Sequence, residues 1–209
     1  MLVTVLRHAE SMSNAGLSSD TDPLLSPRGM EQARRTAERL GPEGVTHIWS
    51  SPFRRAIVTA GFVAARAGLK VRLEPGMCEH YIYESFRDYA PRALGDLARE
   101  FDFVRLPRGA DSRPWTPEFP EPWEELLVRT AKVAKKALAL ARRSRTPDQV
   151  HLVVFGHGAS VKALLRSLTG LDIAQSEPYV NAGLSRVRVM KSLPGKVVFL
   201  NDVAHLDGS

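Results

Sequence analysis

Two apolar, β-branched runs in this chain are each followed, two residues later, by a histidine. Residues 2–6 (LVTVL) are followed directly by Arg7 and His8, and residues 151–155 (HLVVF) are followed by Gly156 and His157. Runs of this length and composition predict buried strands. Ligands of open α/β sheets bind outside the carboxyl ends of the strands. The pattern therefore predicts that both histidines lie at one edge of a sheet and face a common pocket.

Strand-like and helix-like segments alternate along the 209 residues. This alternation predicts an α/β fold, specifically a three-layer α/β/α sandwich with a mainly parallel sheet. Ser26 and Pro27 have the residue types of an N-cap and a first helical position, so they mark the start of one helix. The predicted helices are 27–40, a helix that starts at Ser50-Ser51-Pro52 and ends at Gly68, 123–143 and 159–168. The further predicted strands are 45–49 and 71–73, followed by a hairpin of 184–190 and 196–201.

The segment from about 79 to 122 interrupts this alternation. It contains six prolines, at 91, 107, 114, 117, 120 and 122, and aromatic residues are scattered through it. We interpret it as a cap region inserted into a single domain that spans residues 1–209. Its aromatic rings either form a rim that accepts an aryl or sugar phosphate or pack as a small core under a long loop, and the second arrangement is the commoner one.

The composition excludes several classes of protein. Hydrophobic residues make up 44% of the chain and charged residues 25%, which is typical of a globular protein, and no apolar stretch is long enough to span a membrane. The apolar residues 1–6 are cut short by Arg7 and lack a basic leader, which indicates a strand and not a signal peptide, so we expect a cytoplasmic location. The single cysteine, Cys78, allows no intrachain disulfide, which agrees with that location. The net charge is +6, and 22 of the 29 basic residues are arginine, which favours anionic partners. No basic run is interleaved with aromatic residues, so a nucleic-acid partner is not expected.

Residue types at the predicted sheet edge indicate phosphoryl chemistry. Arg7 and Arg55 would supply two permanent positive charges, and His8 and His157 two imidazoles. Phosphoryl transfer needs little beyond a nucleophile and positioned cations. A neutral imidazole can be that nucleophile, and neighbouring arginines favour its neutral form.

An ordered set of motifs resembles the histidine phosphatase superfamily, also called the phosphoglycerate mutase-like family. The motifs are Arg7-His8-Ala9-Glu10-Ser11 with Asn14, Asp22-Pro23-Leu24-Leu25-Ser26 with Gly29, Ser50-Ser51-Pro52-Phe53-Arg54-Arg55-Ala56 with Thr59-Ala60, Glu79, and Gly156-His157-Gly158. The resemblance implies that His8 becomes phosphorylated and that Arg7, Arg55 and His157 bind the phosphoryl group. It further implies that Asn14 lines the pocket and that Glu79 donates the proton. We add Gly158 to the phosphate-binding set because it directly precedes the helix predicted to start at about Ala159, and the backbone N–H groups of a helix start bind anions.

Three of these assignments have alternatives within the chain. Arg54 is the alternative to Arg55 for binding phosphate, although the spacing from Ser50 favours Arg55. Glu84 or Asp88 is the alternative to Glu79 as proton donor, if the cap folds over the pocket. Asn14 has the alternative role of fixing a loop.

The expected function is a metal-independent phosphomonoester hydrolase that uses a phosphohistidine intermediate. The substrate is expected to be a small phosphorylated metabolite or a phosphoprotein, no cofactor or metal is expected, and a homodimer is compatible with the chain. The six histidines show no paired metal-ligand spacing. The alternatives are a phosphoglycerate mutase-type phosphotransferase, which uses the same intermediate, and a non-catalytic protein that binds phosphorylated ligands.

Overall fold

The structure is a computed structural model that describes residues 1–107, 109, 115–172, 178–190 and 192–207. The strands are β1 (Leu2–Arg7), β2 (His47–Ser50), β3 (Val71–Leu73), β4 (Val104–Arg105), β5 (His151–Gly156), β6 (Leu184–Arg188) and β7 (Lys196–Asp202). The helices are α1 (Pro27–Leu40), α2 (Arg54–Ala67), α3 (Leu94–Glu100), α4 (Trp123–Arg143) and α5 (Gly158–Thr169).

The seven strands form one sheet in the order β4-β3-β2-β5-β1-β6-β7. The five strands from β4 to β1 are parallel, whereas β6 pairs antiparallel with both β1 and β7. The mainly parallel sheet predicted from the sequence is therefore confirmed. Because β2, β5 and β1 are neighbours and parallel, the residues that follow them meet at one edge of the sheet.

Alternation along β5 shows why helices cover both faces of the sheet. Leu152 and Val154 pack into a core with residues of α4 and α5, while Val153 and Phe155 pack into a second core with residues of α1 and α2. Successive side chains of a strand point to opposite faces, so an entirely apolar strand needs a layer on each side. The result is the three-layer α/β/α sandwich that the alternation predicted.

The limits of most predicted elements agree with the structure, and α2 is the main exception. The sequence predicts that this helix starts at Ser50-Ser51-Pro52, but Ser50 belongs to β2 and the helix begins only at Arg54. The N-terminus of α2 is capped from a distant loop, because Asp22 Oδ1 accepts a hydrogen bond from the Arg54 N–H at 2.8 Å. The predicted strand at 45–49 begins two residues later, at His47.

Residues 79–122, which the sequence analysis interprets as a cap, contain α3 and β4, and β4 extends the sheet by pairing with β3. Most aromatic rings of this segment pack around Phe53, at the start of α2. The buried or partly buried members of this cluster are Tyr81, Phe86, Tyr89, Phe101, Phe103, Trp115 and Phe119. These rings form a core, as the sequence analysis favoured, and Tyr83 is the exposed exception, with 59% of its surface accessible. The description of the segment as a cap stays a prediction.

Within the described part of the chain, no helix is both long enough and apolar enough to cross a membrane.

Candidate active site

Three neighbouring strands place the candidate residues at the same edge of the sheet. Arg7 is the last residue of β1 and His8 follows it, Ser51 follows β2, and His157 follows β5. The His8 N–H donates to the Gly156 carbonyl at 2.9 Å, which joins the ends of β1 and β5. The ring centroids of His8 and His157 lie 5.0 Å apart. Both rings therefore face one site.

The His8 ring is buried and held in a defined orientation. Its Nδ1 lies 2.7 Å from the Ala9 carbonyl oxygen, and a carbonyl can only accept, so Nδ1 carries the proton. Burial holds the pKa of His8 well below its usual value, and the positive charges of Arg55 and Arg7 lower it further. The ring is therefore neutral near pH 7, and its Nε2 carries a free electron pair.

The His157 ring is fully buried between polar groups. Its Nε2 lies 2.8 Å from Ser51 Oγ, and its Nδ1 lies 3.4 Å from an Arg55 guanidinium nitrogen. Glu79 Oε2 is 3.6 Å from the same Nδ1. Burial, and then the charge of Arg55, hold the pKa of His157 well below its usual value. His157 is thus neutral before an anion enters the site.

Arg55 and Arg7 place two guanidinium groups beside the His8 ring. Arg55 Nε donates to His8 Nε2 at 3.3 Å, and Arg55 Nη1 donates to the Thr21 carbonyl at 3.0 Å. Arg7 Nη1 donates to the Tyr179 carbonyl at 2.9 Å. Arg7 Nε is buried and has no hydrogen-bond partner among the described residues. An unpaired buried donor on a cation is costly, and a bound oxyanion would satisfy it.

The structure distinguishes Arg55 from its neighbour Arg54. The Arg54 guanidinium turns away from the histidines and pairs with Glu100, with Nε 3.1 Å and Nη2 3.0 Å from Oε1. Arg55 is buried beside both histidines. The two arginines are consecutive residues of α2, so their side chains leave the helix in different directions. The geometry favours Arg55 as the anion-binding residue.

Asp22 connects the start of α2 to the site. Besides accepting from the Arg54 N–H, its Oδ1 lies 3.7 Å from Arg55 Nη1, and its Oδ2 accepts from the Tyr89 hydroxyl at 3.4 Å. Burial raises the pKa of Asp22 to about 6, against the opposing effect of Arg55. Asp22 therefore holds Arg55 in place at an electrostatic cost.

Glu79 is the acid that the structure brings to the histidines. Glu84 is exposed and pairs with Arg87, and Asp88 is also exposed. Neither lines the cleft, whereas Glu79 does. Of the three predicted candidates, the geometry favours Glu79.

A partly buried arginine of α4 holds the backbone that carries Glu79. Arg129 donates to the carbonyls of Gly76 and Cys78 at 2.9 Å each and to the Glu79 carbonyl at 2.8 Å. The same guanidinium forms a buried ion pair with Glu121. A planar fork with five donors can bind this many acceptors at once, so Arg129 fixes the position of the Glu79 loop.

Asn14 lies at the rim of the cleft and takes part in a small network. Its Oδ1 accepts from the Ser11 N–H and from Asn181 Nδ2, at 3.2 Å each. Asn181 Nδ2 also donates to the His8 carbonyl at 2.9 Å. With its oxygen engaged, Asn14 can direct its amide N–H groups to a ligand while it fixes the loop, so the two predicted roles are compatible.

Gly158 is the first residue of α5, directly after His157, and it does not line the cleft. Packing explains why residue 156, on the other side of His157, is glycine. A Cβ at this position would lie 2.7 Å from Met77 Cε and 2.9 Å from Ser160 Oγ. Ser160 Oγ accepts a hydrogen bond from the His157 N–H at 3.0 Å. This hydrogen bond fixes the backbone of His157 and therefore the position of its ring.

The site opens into a cleft of about 290 Å³. Its lining residues are Arg7, His8, Ser11, Ser13, Asn14, Ser18, Ser19, Asp20, Thr21, Pro23, Arg55, Glu79, Tyr83, Ser85 and Phe86. No group of three or more His, Cys, Asp or Glu side chains among the described residues is arranged to hold a metal ion. The cleft offers a neutral imidazole, two guanidinium groups and the carboxyl groups of Glu79 and Asp20.

Several residues of the site have no role that the sequence alone indicates. Ser51 and Asp22 stand inside the quoted motifs, so their position was visible but their contacts were not. Asn181 and the pair of Arg129 and Glu121 lie far away along the chain, and no local pattern marks them. Only the tertiary structure brings them to the site.

The chain is similar to known proteins over nearly its whole length. The family model of the histidine phosphatase superfamily (branch 1) matches residues 3–202. A probable phosphoglycerate mutase of Enterobacter sp. (strain 638) is 28% identical over 221 aligned positions, covering 98% of this chain and 94% of that protein. A mycobacterial glucosyl-3-phosphoglycerate phosphatase has a TM-score of 0.69 at 24% identity, covering 97% of this chain and 99% of that one. A phosphoserine phosphatase of Entamoeba histolytica has a TM-score of 0.62 at 21% identity, covering 98% of each chain.

Proposed function

Since the chain belongs to branch 1 of the histidine phosphatase superfamily, we propose that it is a metal-independent phosphomonoester hydrolase of the cytoplasm. Its intermediate is a phosphohistidine on His8. The observation that carries the proposal is the state of His8: a buried neutral ring whose Nε2 electron pair lies beside two guanidinium groups. A nucleophile that needs no base, surrounded by cations, suits attack on a phosphate dianion.

Binding of the phosphoryl group uses the donors that the site leaves available. Arg7 Nε is buried without a partner, and Arg55 Nε is held by only a long contact to His8. A dianion would draw both donors to its oxygens. It would also favour protonation of His157, whose Nδ1 then donates to a third oxygen. Each charged donor is worth about 3–4 kcal/mol in the transition state, by analogy with oxyanion-hole deletions.

The first chemical step transfers the phosphoryl group to the protein. His8 Nε2 forms a bond to phosphorus in line with the leaving oxygen, and the bond from phosphorus to that oxygen breaks. The protonated carboxyl group of Glu79 gives its proton to the leaving oxygen, so an alcohol departs. In the second step, Glu79 takes a proton from water, the water oxygen attacks phosphorus, and the bond to His8 breaks to release inorganic phosphate.

A phosphoglycerate mutase is the second candidate, favoured by the name of the relative from Enterobacter. It would form the same intermediate but return the phosphoryl group to the product. With 3-phosphoglycerate as substrate, a hydrolase releases inorganic phosphate and a mutase releases the 2-phospho isomer. Phosphate release together with the absence of the isomer supports the hydrolase.

The test of the proposed function is a pair of histidine variants. We expect His8→Ala to abolish both hydrolysis of p-nitrophenyl phosphate and acid-labile labelling of the protein by a ³²P-phosphomonoester. His47→Ala is the matched control, because His47 begins β2 at the opposite end of the sheet from the site. Full activity of His8→Ala, or equal losses in both variants, would refute the assignment. Binding of a phosphopeptide by the wild-type protein without turnover would instead support the non-catalytic alternative.

A further inference from the structure

The cleft beyond the phosphoryl-binding groups is lined mainly by hydroxyl groups. Apart from the buried Ser11, the hydroxyl-bearing lining residues come from two segments, 13–21 and 83–86, and they are Ser13, Ser18, Ser19, Thr21, Tyr83 and Ser85. One carboxylate, that of Asp20, lies among them. We call these residues the hydroxyl wall. When the phosphoryl group of a substrate lies at His8, the alcohol part of that substrate would contact the hydroxyl wall.

Hydrogen bonds hold the hydroxyl wall in a defined shape. Thr21 Oγ1 donates to the Ser85 carbonyl at 3.1 Å, which joins the two segments. Ser13 Oγ donates to the Asp20 carbonyl at 2.8 Å, and Asp20 Oδ1 accepts from the Asp22 N–H at 3.0 Å. The carboxylate of Asp20 is therefore fixed in position, and it accepts hydrogen bonds but cannot donate them.

In the part of the chain that the structure describes, the positive charges that line the cleft lie at its base, beside His8. Among the described residues that line it, the cations are Arg7 and Arg55. Hydrogen bonds to the Tyr179 carbonyl and the Thr21 carbonyl hold Arg7 and Arg55, respectively, beside His8. In this position both guanidinium groups would bind the phosphoryl group. A second anionic group on the substrate would meet the carboxylate of Asp20 in the outer cleft, without a described cation there to pair with it.

Resting on the proposed function, we propose that the leaving group is an uncharged polyhydroxylated alcohol, such as glycerol or a sugar. Its hydroxyls would donate to Asp20 and exchange hydrogen bonds with the serine hydroxyls, while its carbon face packs on the exposed ring of Tyr83. A site that hydrogen-bonds the hydroxyl groups of its substrate rejects analogues that lack those groups, because its own polar groups are then left unpaired. Repulsion from Asp20 adds discrimination against carboxylate-bearing substrates. Phosphoserine and phosphoglycerate are such substrates.

The test compares two substrates that differ at one carbon. Glycerol 3-phosphate has a CH₂OH group where 3-phosphoglycerate has a carboxylate. We expect kcat/KM of the wild-type protein to be at least about tenfold higher for glycerol 3-phosphate, a factor that corresponds to about 1.4 kcal/mol. The variant Asp20→Lys replaces the repelling charge by an attracting one, so we expect it to lower this ratio by at least about tenfold.

Asp148→Lys is the matched control for Asp20→Lys. It makes the same change in net charge at a side chain that is 88% exposed, just before β5 and at the opposite end of the sheet. A wild-type ratio below ten, or equal changes in the two variants, overturns the inference. If one of these two results is found but the wild-type protein hydrolyses p-nitrophenyl phosphate, the proposed function stands and only the proposed substrate class fails. If no phosphomonoester is hydrolysed, the proposed function itself fails.

Discussion

The substitution Asp22→Asn isolates the electrostatic cost of holding Arg55. Asparagine keeps the shape of the side chain and the oxygen that accepts from the Arg54 N–H at 2.8 Å. It removes the negative charge and therefore the titration. Any difference in how the two proteins respond to pH then reports the ionisation of Asp22.

The raised pKa of Asp22 determines the sign and size of the effect. Burial raises this pKa from 3.8 to about 6, against the opposing charge of Arg55. The folded protein therefore binds the Asp22 proton more tightly than the unfolded chain does. Ionisation of Asp22 consequently lowers the free energy of unfolding as the pH rises from about 4 through about 6, and the full penalty applies above about pH 7. A rise of this size corresponds to about 3 kcal/mol.

Urea unfolding of both proteins at pH 4 and pH 8 measures this penalty. The lowered pKa values of His8 and His157 act in the opposite direction, destabilising the fold as the pH falls below their usual range. They are present in both proteins and cancel when the two are compared. Between pH 4 and pH 8, we expect the wild type to lose about 2–3 kcal/mol relative to Asp22→Asn, because the unfolded chain is already partly ionised at pH 4. A relative loss below about 1 kcal/mol would show that Asp22 is not buried as a costly anion.

Two further predictions concern packing and the position of the acid. Gly29→Ala would place a Cβ 1.9 Å from the Glu10 carbonyl oxygen, so we expect a loss of about 2–4 kcal/mol in urea unfolding. The control Gly95→Ala meets nothing closer than 3.9 Å and should not destabilise the fold; equal losses would contradict the packing account. Arg129→Lys cannot bind all the carbonyls that hold the Glu79 loop, so we expect kcat to fall at least about tenfold more for an alkyl phosphate than for p-nitrophenyl phosphate, whose leaving group needs no proton. An equal fall on both substrates would mean that Arg129 supports only the fold.

The sequence by itself determined the layered fold and the core of the site. The limits of α1 and α4 follow from local signals, namely an N-cap serine before Pro27 and an apolar repeat of helical period from Trp123 to Arg143. The end of a buried strand marks the place of His8 and of His157. These features are readable because each depends on residues that are close together along the chain.

Only the tertiary structure decided how the site is assembled. The spacing in the sequence already favoured Arg55 over Arg54, but which guanidinium reaches the histidines depends on the direction in which α2 leaves the sheet. The start of α2 in turn depends on Asp22, 32 residues earlier. Arg129 holds the Glu79 loop from 50 residues away. The hydroxyl wall likewise joins two segments that are distant in sequence. Such contacts depend on three-dimensional packing between remote residues, which leaves no periodic or capping signal in the amino-acid order.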